Sequence, residues 1–208
     1  MGILNRFFNQ TRKPEGLLGR LMLWGMNTGH AKISDWALSQ VPKAAPVRIV
    51  DLGCGGGRNI AALRDKFPQA IVDGVDYSPL SVEKAIIYNA SAIANGKGSV
   101  FVGDVSNLQI APQTYDMATA FETIYFWPGL ERCFGNMREI LKDDGMFLVV
   151  CESDGTDGMG ERYEKMIQGM KVYTAAEIAS ALKNAGFRDV RVMHHDRHPW
   201  IAVVAQKG

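Results

Sequence analysis

Four glycines fall within five positions, Gly53-Cys54-Gly55-Gly56-Gly57, between two segments of different periodicity. Before them, Val47-Arg48-Ile49-Val50-Asp51-Leu52 reads as a short strand; after them, Asn59 to Phe67 reads as a helix. A strand that passes through a glycine turn into a helix is the start of a parallel β-α-β unit. Glycines at such a turn let a ligand approach the backbone, and the helix start offers free N–H groups to a carboxylate or phosphate. A turn alone needs fewer glycines. The junction therefore constrains the chain to an α/β architecture with a ligand site at this point.

The rest of the chain agrees. Ala70 to Val75 is a second strand, and Ser78 to Ala94 a second helix with Ser78 as N-cap and Pro79 in the first helical position. Val100-Phe101-Val102 is a third strand, Met117 to Phe121 a fourth, Pro128 to Leu141 a helix, and Met146 to Cys151 a fifth strand. Unbroken apolar strands alternating with helices indicate a parallel sheet covered on both faces. A loop or helix over Gly155 to Met170 precedes a helix from Thr174 to Ala185, ended by Gly186. Val190 to Met193 and Ile201 to Val204, joined by a polar turn, form an antiparallel hairpin at the sheet edge. The expected fold is a Rossmann-like, doubly wound, seven-stranded, mostly parallel sheet. In front of it, residues 1–46 carry two helical patterns, around Leu17-Leu18-Leu21-Met22 and Ile33-Trp36-Ala37-Val41. That segment is too short for a second domain and is expected to form a helical lid on a domain spanning 47–208.

Composition removes several function classes. Of the 208 residues, 23 are Lys or Arg and 22 Asp or Glu, a formal charge of +1, without the basic excess that non-specific nucleic-acid binding needs. The apolar share, 47%, is that of a folded domain. Cys54, Cys133 and Cys151 are an odd number at wide spacing, neither a disulfide framework nor a metal pair, which suits a cytoplasmic protein. The start lacks a secretory signal, Arg6 stands where a myristoylation signal wants Ser or Thr, and the apolar runs are too short for a membrane span.

Two kinds of nucleotide ligand compete for the glycine turn. A dinucleotide site wants G-x-G-x-x-G; Gly53 and Gly55 fit, but the third position is Arg58, with a glycine one residue early at Gly57. A Walker loop would need a Gly-Lys pair followed by Ser or Thr, which is missing. Asp76, 23 residues after Gly53 at the end of the second strand, is placed to accept both hydroxyls of a ribose. Asp104, at the end of the third strand, suits an exocyclic amine such as that of adenine. These features alone leave NAD and another adenosine ligand both open.

The motifs in order resemble the class I S-adenosylmethionine (SAM)-dependent methyltransferases. Asp51-Leu52-Gly53-Cys54-Gly55-Gly56-Gly57 is similar to their first motif, Asp76-Tyr77-Ser78-Pro79 to the segment after their second strand, and Gly103-Asp104-Val105 to their adenine turn. Leu141-Lys142-Asp143-Asp144-Gly145 resembles their "L-K-P-G-G", with Asp143 and Asp144 replacing Pro and Gly. Tyr173-Thr174-Ala175-Ala176-Glu177 and Ala185-Gly186-Phe187 are similar to the ubiquinone and menaquinone C-methyltransferases. The resemblance covers about Val47 to Ala205. It implies SAM as cofactor and S-adenosylhomocysteine as product. It also implies roles: Gly53, Cys54, Gly55 and Gly57 against the methionine part, Asp51 toward its amino group, Asp76 on the ribose diol, and Tyr77 beside the adenine. Asp104 and the Val105 backbone would read the adenine edge, and the Phe121 carbonyl would meet the amino group.

The substrate side is less marked. Met26 in the front segment, with Tyr125 and Trp127 after the fourth strand, would line an apolar pocket; the aromatic rings would equally serve to pack the next helix. His30 and Glu122 are the candidate bases, although in-line methyl transfer needs a base only when the nucleophile must lose a proton. Adjacent His194 and His195 point to opposite faces of a strand, so with His198 they make poor metal ligands, and no metal is expected. Arg58 is read as an exposed helix residue. The expected activity is methyl transfer to a small, partly apolar molecule, without a nucleic-acid or membrane partner, and a homodimer is allowed. A non-catalytic SAM-binding protein and an NAD-dependent oxidoreductase are the alternatives. Charge is uneven: Met1 to Arg48 carries seven basic and two acidic residues, so a basic cover faces an acidic body.

Overall fold

A computed structural model describes residues 31–41, 45–156 and 158–208. The strands are β1 (Arg48–Leu52), β2 (Ile71–Asp76), β3 (Val100–Val102), β4 (Tyr115–Phe121), β5 (Leu141–Cys151), β6 (Phe187–His194) and β7 (Ile201–Lys207). They form one seven-stranded sheet of order β3-β2-β1-β4-β5-β7-β6. Pairing is parallel from β3 through β5, and β7 runs antiparallel to both β5 and β6. The chain winds outward from β1 through β2 to β3, then returns to β4 on the other side of β1. This is the expected fold. Its topological switch point lies at the carboxyl ends of β1 and β4, where open α/β sheets bind ligands.

Helices cover both faces. They are α1 (Ala31–Gln40), α2 (Arg58–Lys66), α3 (Pro79–Tyr88), α4 (Ala90–Ala94), α5 (Leu130–Ile140), α6 (Met159–Met166) and α7 (Ala175–Asn184). Strand alternation divides the core. Val50, Leu52, Ala118, Ala120, Phe147 and Val149 face α5 and α7 and pack on Phe134, Met137, Ile178 and Leu182. Ile49, Met117, Leu148 and Val150 face the other way, onto Ile33, Ala37 and Leu38 of α1 and Ile60 and Leu63 of α2. At the amino half of the sheet, buried Asp73 accepts from Arg48 Nη2 (2.8 Å), the Tyr115 hydroxyl (3.0 Å) and the Ser99 amide and hydroxyl, which ties four neighbouring segments together.

Local signals set several helix ends. Ser78 caps α3 by accepting from the Ser81 amide, with Pro79 beside it. Thr174 and Glu177 form a reciprocal capping box at α7. Several boundaries differ from expectation, two of them through an identifiable contact. The helix expected over Ser78 to Ala94 divides at Asn89, whose side-chain amide donates to the carbonyls of Gly57 (2.9 Å) and Ala85 (3.0 Å). Strand β5 begins at Leu141 rather than Met146, because Leu141 pairs with Tyr115 ahead of the register shift to Met117–Met146. The first front helix, with Met22, and Pro42 lie outside the described residues. No helix among the described residues is long and apolar enough to cross a membrane.

Asn89 is 2% exposed and is a side-chain partner of the Gly57 carbonyl. Replacing it by alanine strips a buried acceptor of its donor, which costs about 1–3 kcal/mol. Asn89→Ala is expected to lower stability by that amount in urea denaturation; an unchanged midpoint would show that the bond contributes nothing.

Candidate cofactor and methyl-transfer site

The glycine turn is anchored to β2. The amides of Gly53 (2.7 Å) and Cys54 (3.0 Å) both donate to the Val75 carbonyl, and the Gly57 amide donates to that of Cys54 (2.9 Å). Two glycines are required by space and conformation. Gly53 has φ +71°, and a Cβ there would lie 2.1 Å from Thr123 Oγ1. Gly57 has φ +83°, and a Cβ would lie 2.6 Å from Asn89 Nδ2. The turn thus seats the segment after β4 on one side and α3 on the other. Helix α2 then begins without a side-chain cap and without an acidic residue in its first turn, leaving its first amides open to an anion.

Three carboxyl groups gather at the strand tips. Asp51, 1% exposed, stands opposite Thr119 in the β1–β4 register, and Thr119 Oγ1 donates to its Oδ1 at 2.7 Å. Its Oδ2 has no hydrogen-bond partner among the described residues. Burial pushes this carboxyl up to about 7 against the Thr119 bond, with Asp76 adding to the rise. Asp76 accepts the Gly55 amide on Oδ2 (2.9 Å), the Ser78 amide on Oδ1 (2.8 Å) and the Ser81 hydroxyl; burial raises its pKa although these bonds oppose the shift. Glu122 follows β4 with φ +57°, a conformation rarely taken by non-glycine residues. Its Oε2 accepts the Tyr125 hydroxyl at 3.1 Å, and its Oε1 is unpartnered among the described residues. Burial drives its pKa well up and the Glu152 charge pushes the same way, against the Tyr125 hydroxyl and the Glu152 backbone amide.

The other expected residues fall as follows. Tyr77 is exposed after β2. The Gly103 amide donates to the Asp76 carbonyl (3.0 Å), which brings the Asp104-Val105 turn to the β2 tip. Exposed Asp104 takes the Ser106 amide and hydroxyl on Oδ1, each at 2.8 Å, and the Val105 carbonyl accepts from Asn136. Cys54 turns its thiol inward against Gly74, so its contribution to the turn is backbone. Phe121 is buried on the α1–α2 face. Tyr125 stands beside Glu122. Trp127 corrects its expected place in the pocket wall: its ring stacks on Phe147 (6.4 Å) and meets Phe134 edge-on (5.9 Å) in the core under α5. It reaches the site only through Nε1, which donates to Thr123 Oγ1 at 3.4 Å. Arg58 pairs with Asp35 of α1 at 2.6 Å. His198 stacks on Trp200 (4.2 Å), and His195 packs against Trp36 and Trp200. Met26 and His30 lie outside the described residues.

Sequence reading missed Thr119, Thr123 and Asn89, the three side chains that hold the turn and its acid. Each acts across more than thirty residues of chain or across a strand register, so no local spacing marks them.

The residues present fit SAM on one observation above all. A buried carboxylate oxygen without a donor among the described residues lies at the foot of a glycine cradle, where an ammonium would complete it. Comparison with known proteins agrees. A methyltransferase-domain family matches residues 4–192, and the chain belongs to that family. Malonyl-[acyl-carrier protein] O-methyltransferase of Geobacter sulfurreducens is 28% identical over 167 residues; the match covers 74% of this chain and 61% of that protein, so the chain spans under two thirds of that relative. Among solved structures, the putative methyltransferase in a complex with the Haloferax volcanii Trm112 activator superposes with a TM-score of 0.80 at 19% identity, covering 100% of this chain and 98% of its own. Human N-acetylserotonin methyltransferase in complex with SAM gives 0.75 at 17% identity, covering 90% and 55%. These structural likenesses support the fold.

The Asp51 carboxyl is raised to about 7 in the native state from 3.8. Its contribution to stability is complete below pH 3.8 and is lost as pH rises toward 7, at about 1.4 kcal/mol for each pH unit between those two values. Asp51→Asn does not ionise. The stability of that variant relative to wild type is therefore expected to rise by a few kcal/mol between about pH 4 and pH 8, read by chemical denaturation at both; a difference that stays constant would contradict the raised pKa.

Proposed function

We propose that the chain is a SAM-dependent methyltransferase acting on a small, partly apolar molecule. The unpartnered, buried Oδ2 of Asp51 carries the reading, because it calls for a cationic donor at the glycine turn. The Phe121 carbonyl is a second acceptor for the same amino group. Gly53, Gly55 and Gly57 keep the turn free of side chains, and the open amides of α2 receive the carboxylate. Asp76 binds the ribose diol. Its oxygens accept two amides and the Ser81 hydroxyl, which leaves one of their four lone pairs for a ribose hydroxyl. Tyr77 lies along the adenine, and Asp104 with the Val105 backbone reads its edge.

Bound SAM supplies a methyl group on a sulfonium sulfur. The chain contributes alignment: holding an acceptor in line with that methyl supplies much of the rate without a dedicated catalytic side chain. Glu122 and His30 are the groups proposed to take a proton where the acceptor has one to lose. Met26 and Tyr125 are the proposed pocket residues, and the front segment, 1–46, is the proposed lid. Three cysteines that are all free and buried suit a reducing cytoplasm.

Titration calorimetry with SAM and S-adenosylhomocysteine tests the reading. Saturable binding by both is expected, and absence of heat at millimolar ligand would refute it. Asp76→Ala removes a charged acceptor, worth about 1.5–3 kcal/mol. It is expected to weaken binding at least about tenfold; unchanged affinity would remove Asp76 from the ribose site.

A further inference from the structure

Glu122 is more than the end of a strand. The chain leaves β4 through it in the left-handed region, and only 8% of the residue is exposed. One carboxyl oxygen is held by the Tyr125 hydroxyl. That hydroxyl in turn accepts the Glu152 amide at the tip of β5 (3.2 Å), while the Tyr125 carbonyl accepts the Lys171 amide beyond α6 (2.9 Å). The ring is thus fixed at both ends, and it fixes the carboxyl. The other oxygen, Oε1, is buried and has no donor among the described residues. A strained backbone and an unsatisfied buried acceptor both cost stability, a pattern found where a ligand completes the site. Thr123, the next residue, sits against Gly53 of the glycine turn, so the chain at Glu122 leaves the sheet beside that turn.

The chemistry of the acceptor follows from what Oε1 lacks. The charge acting on Glu122 is that of Glu152, of the same sign. A carboxylate acceptor would meet two carboxyl groups and be repelled. A carbon nucleophile brings no donor. A hydroxyl brings one donor and no charge. A protonated amine brings N–H donors and a positive charge that both carboxyls favour.

We propose that the methyl acceptor is a primary or secondary amine on an apolar body, bound through Glu122 Oε1, with Glu122 as the residue that takes its proton. The inference rests on the SAM-methyltransferase reading above. Burial keeps Glu122 protonated in the empty site; as the ammonium binds beside it the carboxyl releases that proton to water, and the resulting carboxylate receives one proton from the ammonium nitrogen, which leaves a neutral amine with a free electron pair. That pair forms the N–C bond as the C–S bond breaks, its electrons remaining on the sulfur. The nitrogen becomes a methylammonium, the sulfonium becomes a neutral thioether, and Glu122 later returns its proton to water.

The test uses a matched set of arylalkyl acceptors: phenethylamine and its N-methyl derivative, 3-phenylpropionate, and 4-ethylphenol. Each is titrated by calorimetry into the full chain saturated with S-adenosylhomocysteine, and then assayed for S-adenosylhomocysteine formation from SAM. The amines are expected to bind and to be methylated in preference to the other two. Glu122→Gln is expected to weaken amine binding at least about tenfold and leave S-adenosylhomocysteine affinity unchanged. Carboxylate or phenol binding as tight as the amines overturns the proposal. So does full amine affinity in Glu122→Gln, or no amine binding at millimolar concentration to the loaded protein. Failure of S-adenosylhomocysteine to bind is a different result, and it refutes the methyltransferase reading itself.

Discussion

The carbonyl of Val75 organises the site. It receives two consecutive amides, those of Gly53 and Cys54, and so bends the chain sharply as it leaves β1. The Asp76 carboxylate, on the next residue, then takes the Gly55 amide. Three successive amides of the turn are thus fixed to the end of one neighbouring strand. From that anchoring follow the start of α2, the seat for Thr123 on Gly53 and the close contact of Gly57 with α3. Without it the turn would be a flexible loop, and a flexible loop cannot hold a ligand at a defined distance from β4.

What the anchoring leaves behind is a set of buried carboxyl groups. Asp51, Asp76 and Glu122 are all buried at the carboxyl edge of the sheet, and burial raises the proton affinity of each. Two of them keep an oxygen without a donor among the described residues. Such groups destabilise a fold, and they are tolerated because two dense apolar layers, one on each face, secure the strands that carry them. The missing partners are cations and hydrogen-bond donors. Among the described residues the carboxyl edge is therefore incomplete, and a group that brought such partners would relieve the cost.

Much of this was legible in the chain itself. The glycine turn, Asp76 and the Ser78 cap are local signals, and their meaning depends on a few adjacent residues. The order of strands and helices follows from periodicity. What lay hidden depends on contacts between distant segments. The break at Asn89 comes from a bond to Gly57, thirty-two residues earlier, which no helical pattern announces. Thr119 finds Asp51 only through the β1–β4 register. Trp127 reads equally well as pocket wall or core, and only the approach of Phe134 and Phe147 decides for the core. The left-handed backbone of Glu122 carries no signal in residue type, since glutamate is an uncommon choice there.

Arg58 connects the turn to the front segment. It occupies the place where a dinucleotide fold keeps its third glycine for close helix packing. Here the packing is moved one residue forward, to Gly57, which lies against Ala85 of α3. That releases the next position to carry a long side chain, and the guanidinium reaches back to Asp35 on α1. The pair is too exposed on the Asp35 side to stabilise the fold by more than about 1 kcal/mol. Its effect is directional instead. It links the first residue of α2 to α1, so that the departure from the dinucleotide pattern and the α1–α2 contact are one structural event.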